Sequence, residues 1–205
     1  MSQSDLDALL VANIGDLNAA ASHVEHVLQV EVAAAIDDLA KKLRSNLGWE
    51  GEEDWSGDWS IWAAPKEWLD TGIGPKDDDY NSQFSFEVDD QKNEASDQFW
   101  LAQLVGCGQA QLGFRWSRNN LSPKRWGKAL GQKTDLIAKV RGLGFSYRES
   151  DGSFFLPIRV DRTELAKAVS EESAVQALQP LRDAYDRLAE AKPVFDELIA
   201  AIHID

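Results

Sequence analysis

The spacing of apolar residues changes twice along this chain, and that change constrains the fold more than any other feature. Near both ends, apolar residues recur every three or four positions, which is the period of one helical face. Between residues 49 and 160 they alternate with polar residues at a period of two, as in strands with one wet face. The pattern predicts an α+β fold in a single domain, 1–205. A mainly antiparallel sheet of about five or six strands is flanked by a long N-terminal helix and a C-terminal helical tail.

The N-terminal pattern predicts a helix over residues 3–46, within an N-terminal segment 1–48. Ser4 can cap its start, Gly15 favours a break, and Gly48 favours the end. The C-terminal segment 161–205 is predicted to be helical, with Pro180 and Pro193 kinking or dividing it. Each helix needs a partner for its apolar stripe, so we expect the two to pack on each other and on one face of the sheet. The N-terminal stripe consists of Leu10, Ile14, Leu17, Ala21, Val24, Leu28, Val32, Ala35, Leu39 and Leu43.

The central segment 49–160 contains six candidate strands and one helical insertion. Gly106-Cys107-Gly108 and Asp151-Gly152 are predicted to be hairpin turns, and Pro157 favours an edge or bulge. The insertion, 122–142, is predicted to form two short helices because Ser122-Pro123 is a helix-start signal and Gly142 a stop signal. The candidate strands are Trp59–Ala64, Gln83–Val88, Trp100–Val105, Gln109–Trp116, Phe145–Glu149 and Phe154–Val160.

Charge is distributed unevenly over the 205 residues, whose net charge is −14. Residues 49–97 carry 3 basic and 15 acidic side chains, net −12, whereas residues 98–148 carry 9 and 1, net +8. Such an acidic chain favours basic partners and is repelled by anionic membranes and nucleic acid. It has one cysteine, no basic leader and no long uncharged apolar stretch, so we expect a cytoplasmic protein that does not bind membranes.

All eight tryptophans lie between Trp49 and Trp126. Trp62, Trp100 and Trp116 fall within strand patterns and are predicted to be core residues. Trp55 and Trp59 instead flank an acidic turn, where aromatic faces beside carboxylates suit a lysine or arginine of a partner protein. The alternative is an edge hairpin that packs its own indoles. The predicted partner-binding surface comprises Trp55, Trp59, Glu52, Glu53, Asp54 and Asp58.

The leading hypothesis from these patterns is a non-enzymatic protein-interaction module, such as an inhibitor, an immunity-type protein or an adaptor. The alternative is a nucleic-acid-binding or processing protein that uses the basic segment 115–148, because basic residues mixed with aromatics suit backbone contacts and base stacking. The opposing interpretation is a solvated face, or one neutralised by the acidic block. The candidate nucleic-acid-binding residues are Arg115, Arg118, Lys124, Arg125 and Lys128.

A metal-dependent nuclease is a narrower form of this alternative, with carboxylates at Asp77–Asp79, Glu87, Asp89 and Asp90 and a lysine at Lys92. Such carboxylate and lysine groupings are common by chance, so no metal ligand is assigned.

Other chemical signals are weak. His23 and His26 with His203 would be needed for a zinc site, but surface histidines are the default. Cys107 has no histidine beside it in sequence that could activate it as a nucleophile. The chain has no Gly-x-Ser-x-Gly and no phosphate-binding Gly-rich loop, so we expect no cofactor and assign no catalytic residue.

Overall fold

The computed structural model describes residues 2–68, 82–89, 97–118 and 123–201, without the side chains of 123–125 and 201. Six strands form one antiparallel sheet in these residues, in the order β1-β2-β3-β4-β6-β5. The strands are β1 Glu50–Asp54, β2 Ser60–Ala64, β3 Ser82–Asp89, β4 Gln111–Arg118, β5 Ser146–Arg148 and β6 Ser153–Ile158. The helices are α1 Gln3–Ala12, α2 Ile14–His23, α3 Gln29–Leu47, α4 Trp100–Leu104, α5 Pro123–Leu130, α6 Thr134–Gly142, α7 Arg162–Ser170 and α8 Gln179–Ala201. The predicted α+β class, sheet and terminal helices are confirmed.

The strand register separates two faces of the sheet, because side chains alternate across a strand. One row runs through Glu53, Ile61, Phe86, Phe114 and Leu156, which are paired in register. This face carries the helices, and its residues build the core. The neighbouring row, on the other face, runs through Glu52, Trp62, Ser85, Arg115 and Phe155.

Aromatic packing joins the terminal helices to the sheet. Phe195 of α8 stacks on Trp116 of β4 at 4.4 Å between ring centroids and meets Phe84 edge to face at 5.5 Å. The Trp68 indole N–H donates a 2.7 Å hydrogen bond to Asp196. Helix α3 contacts both α8 and β1. The predicted packing of the terminal helices on one another and on the sheet therefore holds for α3 and α8.

The first part of the N-terminal helix does not take part in this packing. No residue from 2 to 28 is buried, although the apolar stripe begins at Leu10. Helix α1 ends at Ala12, and Asn13 interrupts the helix two residues before the glycine at which a break was predicted. A π-helical turn, Val24–Leu28, then leads into α3.

Two predicted elements differ from the structure. Trp100–Val105 is not a strand, because Trp100–Leu104 forms the short helix α4, so Gly106-Cys107-Gly108 is not a hairpin turn. Burial at Trp100, Gln103 and Leu104 follows a helical spacing, which tertiary packing selects in so short an apolar run. The strand β1, Glu50–Asp54, was missed because four of its five residues are acidic and have low strand propensity.

Several local predictions match. Asp151-Gly152 lies in the turn between β5 and β6. Pro157 lies in the part of β6 that pairs with β4 but not with β5, where its missing N–H breaks no ladder bond. Pro180 lies in the first turn of α8, where the last helix begins, but Pro193 lies inside α8 and does not divide it, so a division at Pro193 was wrong. Among the helices of the described residues, none is long and apolar enough to cross a membrane.

Candidate functional site: the Trp59 groove

The turn between β1 and β2 presents one tryptophan to solvent and buries another. Trp55 is 4% exposed, whereas Trp59 is 53% exposed. Trp59 has a φ of 57°, a left-handed conformation that is unusual for a bulky residue. The turn is held from α3, because the Asp37 carboxylate accepts hydrogen bonds from the backbone N–H groups of Trp55 (2.7 Å) and Ser56 (3.0 Å). The backbone thus fixes the outward position of Trp59.

Three tryptophans meet edge to face around this turn. Ring centroids are 5.5 Å apart for Trp55 and Trp59, 5.9 Å for Trp55 and Trp100, and 6.2 Å for Trp59 and Trp100. The ring of Phe86 in β3 meets the Trp55 ring edge to face, at 4.8 Å between ring centroids. The buried indole N–H groups of Trp55 and Trp100 have no hydrogen-bond partner among the described residues. The cluster is therefore held by ring packing, with Trp59 as its outer member.

A groove of about 340 Å³ opens between this cluster and the start of α3. Gln29 of α3 fixes one wall, because its side-chain oxygen accepts a 3.0 Å hydrogen bond from the backbone N–H of Trp100. Two lining residues, Glu25 and Asp97, carry carboxylates, and the described residues that line the groove include no lysine or arginine. Asp97 accepts a 2.9 Å hydrogen bond from the backbone N–H of Gln109, whereas Glu25 is exposed. The lining residues are Glu25, Gln29, Val30, Ala33, Trp55, Ser56, Trp59, Asp97, Gln98 and Trp100.

The four predicted acidic site residues do not form one surface. Glu53 is an ion-pair partner of Arg44, and its side chain is 5% exposed. Glu52 is exposed on the opposite face of the sheet, in register with Trp62. The Asp54 carboxylate lies 2.5 Å from where a Cβ of Gly57 would stand, so it closes over the turn and requires glycine there. Asp58 is exposed in the turn beside Trp59.

Sequence reasoning missed Glu25, Gln29, Asp97 and Trp100 as residues of this groove. Glu25 is thirty residues away from Trp55 in the chain, and Trp100 was assigned to the core of a strand. Trp100 is indeed buried, at 7% exposure, but its helix places it against Trp55 and Trp59. The four-residue spacing of Trp100 and Leu104 was the one signal in the sequence that indicated this helix.

The basic segment is split between the two faces of the sheet. Arg115 is buried and pairs with Glu87 and, at 2.5 Å, with Asp89. Arg118, three residues along β4, is on the helix-bearing face, where its guanidinium lies 5.3 Å from the ring centroid of Trp126. Lys128 is exposed on α5. The side chains of Lys124 and Arg125 lie outside the described residues.

Arg115 belongs to an ion network that occupies the carboxylates considered for a metal. Asp89 is 7% exposed and pairs with both Arg115 and Arg148. Arg115 also donates a 2.9 Å hydrogen bond to the Ser153 hydroxyl, which in turn donates to Asp151 at 2.7 Å. No group of three His, Cys, Asp or Glu side chains suited to a metal ion occurs within the described ranges. Asp77–Asp79, Asp90 and Lys92 lie outside those ranges.

The remaining candidates stay at the surface. His23 and His26 are exposed, and His26 Nδ1 lies 2.9 Å from the carbonyl oxygen of Ser22. His203 lies outside the described residues. Cys107 is exposed after α4, and its thiol lies 3.9 Å from the carbonyl oxygen of Val105.

A second groove, of about 580 Å³, lies between α5, α6 and β5. Lys128, Thr134 and Arg141 line it together with Tyr147 and Glu149. The Arg141 guanidinium lies 5.9 Å from the ring centroid of Tyr147. Burial is the main cause that raises the pKa of the Tyr147 phenol above its ordinary value, so this ring stays neutral at physiological pH.

Comparisons with protein-family models, with curated proteins and with solved structures found no match to this chain.

Proposed function

We propose that this protein is a non-enzymatic interaction module that binds a basic segment of a protein partner in the Trp59 groove. An inhibitor, an immunity-type protein and an adaptor all work through such contacts. The proposal retains Trp59 and Asp58 from the predicted surface, adds Glu25, and assigns Trp55 and Trp100 to its support.

The exposure of Trp59 on a constrained backbone is the observation that carries the proposal. A tryptophan that is more than half exposed forgoes much of the hydrophobic stabilisation that burial would provide. Its left-handed φ adds backbone strain, of the kind that occurs at ligand-contacting positions. Contacts with Trp55 and Trp100 already restrict the ring, so a partner loses little conformational entropy by packing on it.

The charges around the groove favour a cationic ligand. Glu25 and Asp97 line it, Asp58 is exposed in the adjacent turn, and no basic residue lines the groove within the described part of the chain. A lysine or arginine that packs on the face of Trp59 gains a cation–π contact, and a nearby carboxylate strengthens it. Among the residues that the structure describes, the lining includes one hydroxyl, that of Ser56, but no histidine or cysteine. The groove therefore suits binding better than nucleophilic catalysis.

The test is binding to an array of peptides with a central lysine or arginine, measured for the wild-type chain and three variants. Trp59→Ala is expected to weaken the best peptide at least tenfold, and Glu25→Gln about threefold. Glu171→Gln removes an exposed carboxylate outside the groove, so it controls for the net charge of −14. Equal losses in Glu25→Gln and Glu171→Gln would mean attraction by overall charge, and the groove would not be the site.

The second groove gives a specific basis for the nucleic-acid alternative. Lys128 and Arg141 with the Tyr147 ring offer cations and a stacking surface for a single strand. We propose this as the second candidate function, with Lys128 and Arg141 in place of the buried Arg115. Binding of single-stranded DNA at low salt should be lost in the Lys128→Ala, Arg141→Ala double variant and should weaken steeply with salt. No mobility shift of wild type at low salt would eliminate it.

A further inference from the structure

The helical segment Gln3–Leu28, here called the arm, presents an apolar face that is exposed from Leu10 to Leu17 and half-buried at Ala21, Val24 and Leu28. Ile14 is 64% exposed, Val11 73% and Leu17 43%, and no residue of the arm is buried. Its start is nevertheless well defined, because the Ser2 hydroxyl and the Asp5 carboxylate form a reciprocal capping box. Helices gain most of their stability in proteins from packing an apolar face, so the arm needs a partner.

The spacing of this face is that of a coiled coil. Leu10, Ile14, Leu17, Ala21, Val24 and Leu28 are separated by four, three, four, three and four residues. A strict seven-residue repeat favours pairing with another helix along a narrow seam. Only one of the residues flanking the seam, Glu25, is charged; the flanking residues are Val11, Asn13, Asn18, Ala20, Glu25 and Val27. Charged flanking residues set partner choice and orientation in coiled coils, and like charges there would oppose pairing between identical chains, whereas this almost uncharged flank does not.

We propose that a second copy of this chain covers the arm and that the two arms pair antiparallel in a two-fold symmetric dimer. When two heptad helices pair antiparallel, the core positions a of one helix lie opposite the core positions d of the other. Leu17 then meets Ala21 of the second copy, and Ile14 meets Val24 of the second copy. Each larger side chain faces a smaller one, and both pairs occur twice by symmetry. The outermost pair, Leu10 with Leu28, lies beyond the interruption at Asn13.

Size opposes the parallel alternative. In register, parallel arms would leave a void where Ala21 meets Ala21, and the antiparallel arrangement fills it with Leu17 of the second copy. Antiparallel arms place Asp7 opposite Glu31 of the second copy, outside the shared segment 10–28. They also put the two globular bodies at opposite ends of the shared segment 10–28, which is roughly 28 Å long at 1.5 Å per residue. That separation exceeds the Debye length of about 8 Å at physiological salt, so repulsion between two acidic bodies is largely screened.

The test is the mass of the full-length protein in solution, measured by sedimentation equilibrium between about 1 and 100 μM. Wild type is expected to be a dimer. Leu17→Asp puts a carboxylate against Ala21 twice per dimer and should raise the dissociation constant at least a hundredfold. Ala19→Asp adds the same charge to the opposite side of the same helix and should remain a dimer. Trp59→Ala should also remain a dimer, because this pairing does not depend on the proposed Trp59 groove.

Disulfide trapping tests the orientation. In a Cys107→Ser background, which removes the exposed native thiol, Ile14→Cys chains and Val24→Cys chains are mixed and oxidised. Antiparallel pairing predicts cross-links between the two variants and few within either one, whereas parallel pairing predicts the reverse. A wild-type monomer at 100 μM with unchanged helix content would overturn the proposal, as would equal dimerisation of the two aspartate variants. Preferred cross-linking within one variant would overturn the antiparallel arrangement.

Discussion

Trp55 and Trp59 differ in exposure, so we expect removal of each ring to lower the free energy of unfolding by a different amount. An aromatic side chain buries about 200 Å² when fully enclosed, which corresponds to about 5 kcal/mol at about 25 cal/mol per Å². Trp55 is 4% exposed, so Trp55→Ala should cost about 3–5 kcal/mol, as large-to-small core substitutions do. Trp59 is 53% exposed, so the same estimate for Trp59→Ala is about 2 kcal/mol and is an upper bound.

Urea denaturation followed by far-UV circular dichroism measures this difference. Trp59→Ala should unfold cooperatively with an unchanged slope against urea, whereas Trp55→Ala should lose much of its folded population at low urea. Trp59→Gly provides a matched control, because glycine relieves the left-handed strain that alanine retains and should be about 1 kcal/mol more stable than Trp59→Ala. If Trp59→Ala proves as destabilising as Trp55→Ala, then Trp59 is a core residue and the groove loses its main contact.

Two further predictions concern the ion network and a helix cap. Arg115→Met should cost about 3–5 kcal/mol by chemical denaturation, because it removes one of the two cations paired with the buried Asp89. An effect below about 1 kcal/mol would mean that water reaches Asp89. At Asp161, hydrogen bonds from the backbone N–H groups of Glu164 and Thr163 hold the pKa of the carboxyl below its ordinary value. This cap stabilises α7 above the unfolded pKa of about 3.9 and is lost as pH falls through the lower folded pKa. Asp161→Asn should remove that part of the acid-induced loss of stability, measured as unfolding midpoints between pH 2 and 6.

Much of the secondary structure could be predicted from local patterns. The helical periods at the two ends, the alternation in β3 and β4, and the stop at Gly142 depend on neighbouring residues, so the sequence contains the information. The strand β1 and the helix α4 could not be predicted in the same way. β1 is an acidic edge strand whose Glu53 is paired with Arg44 of α3. The backbone N–H of Trp100 in α4 donates a hydrogen bond to the side chain of Gln29, seventy-one residues earlier.

The candidate site was only partly predictable for the same reason. The sequence singled out Trp55 and Trp59 as a pair, because both flank an acidic turn. The structure separates them, since Asp37 holds the turn so that Trp55 enters the core and Trp59 leaves it. Of the basic residues, Arg115 is neutralised by Glu87 and Asp89 across a strand register that no local pattern specifies.

The sequence alone determined the α+β class, the terminal helices and the heptad stripe of the arm, because periodicity is a local property of the chain. Only the tertiary structure decided which apolar residues have partners. The stripe is continuous from Leu10 to Leu43, yet Leu10, Ile14 and Leu17 are exposed. Val32 and Leu39 are buried, because the sheet and α8 lie beside α3. Burial depends on what the fold brings alongside a helix, and for that reason neither the unpartnered arm nor the exposed Trp59 could be identified from spacing alone.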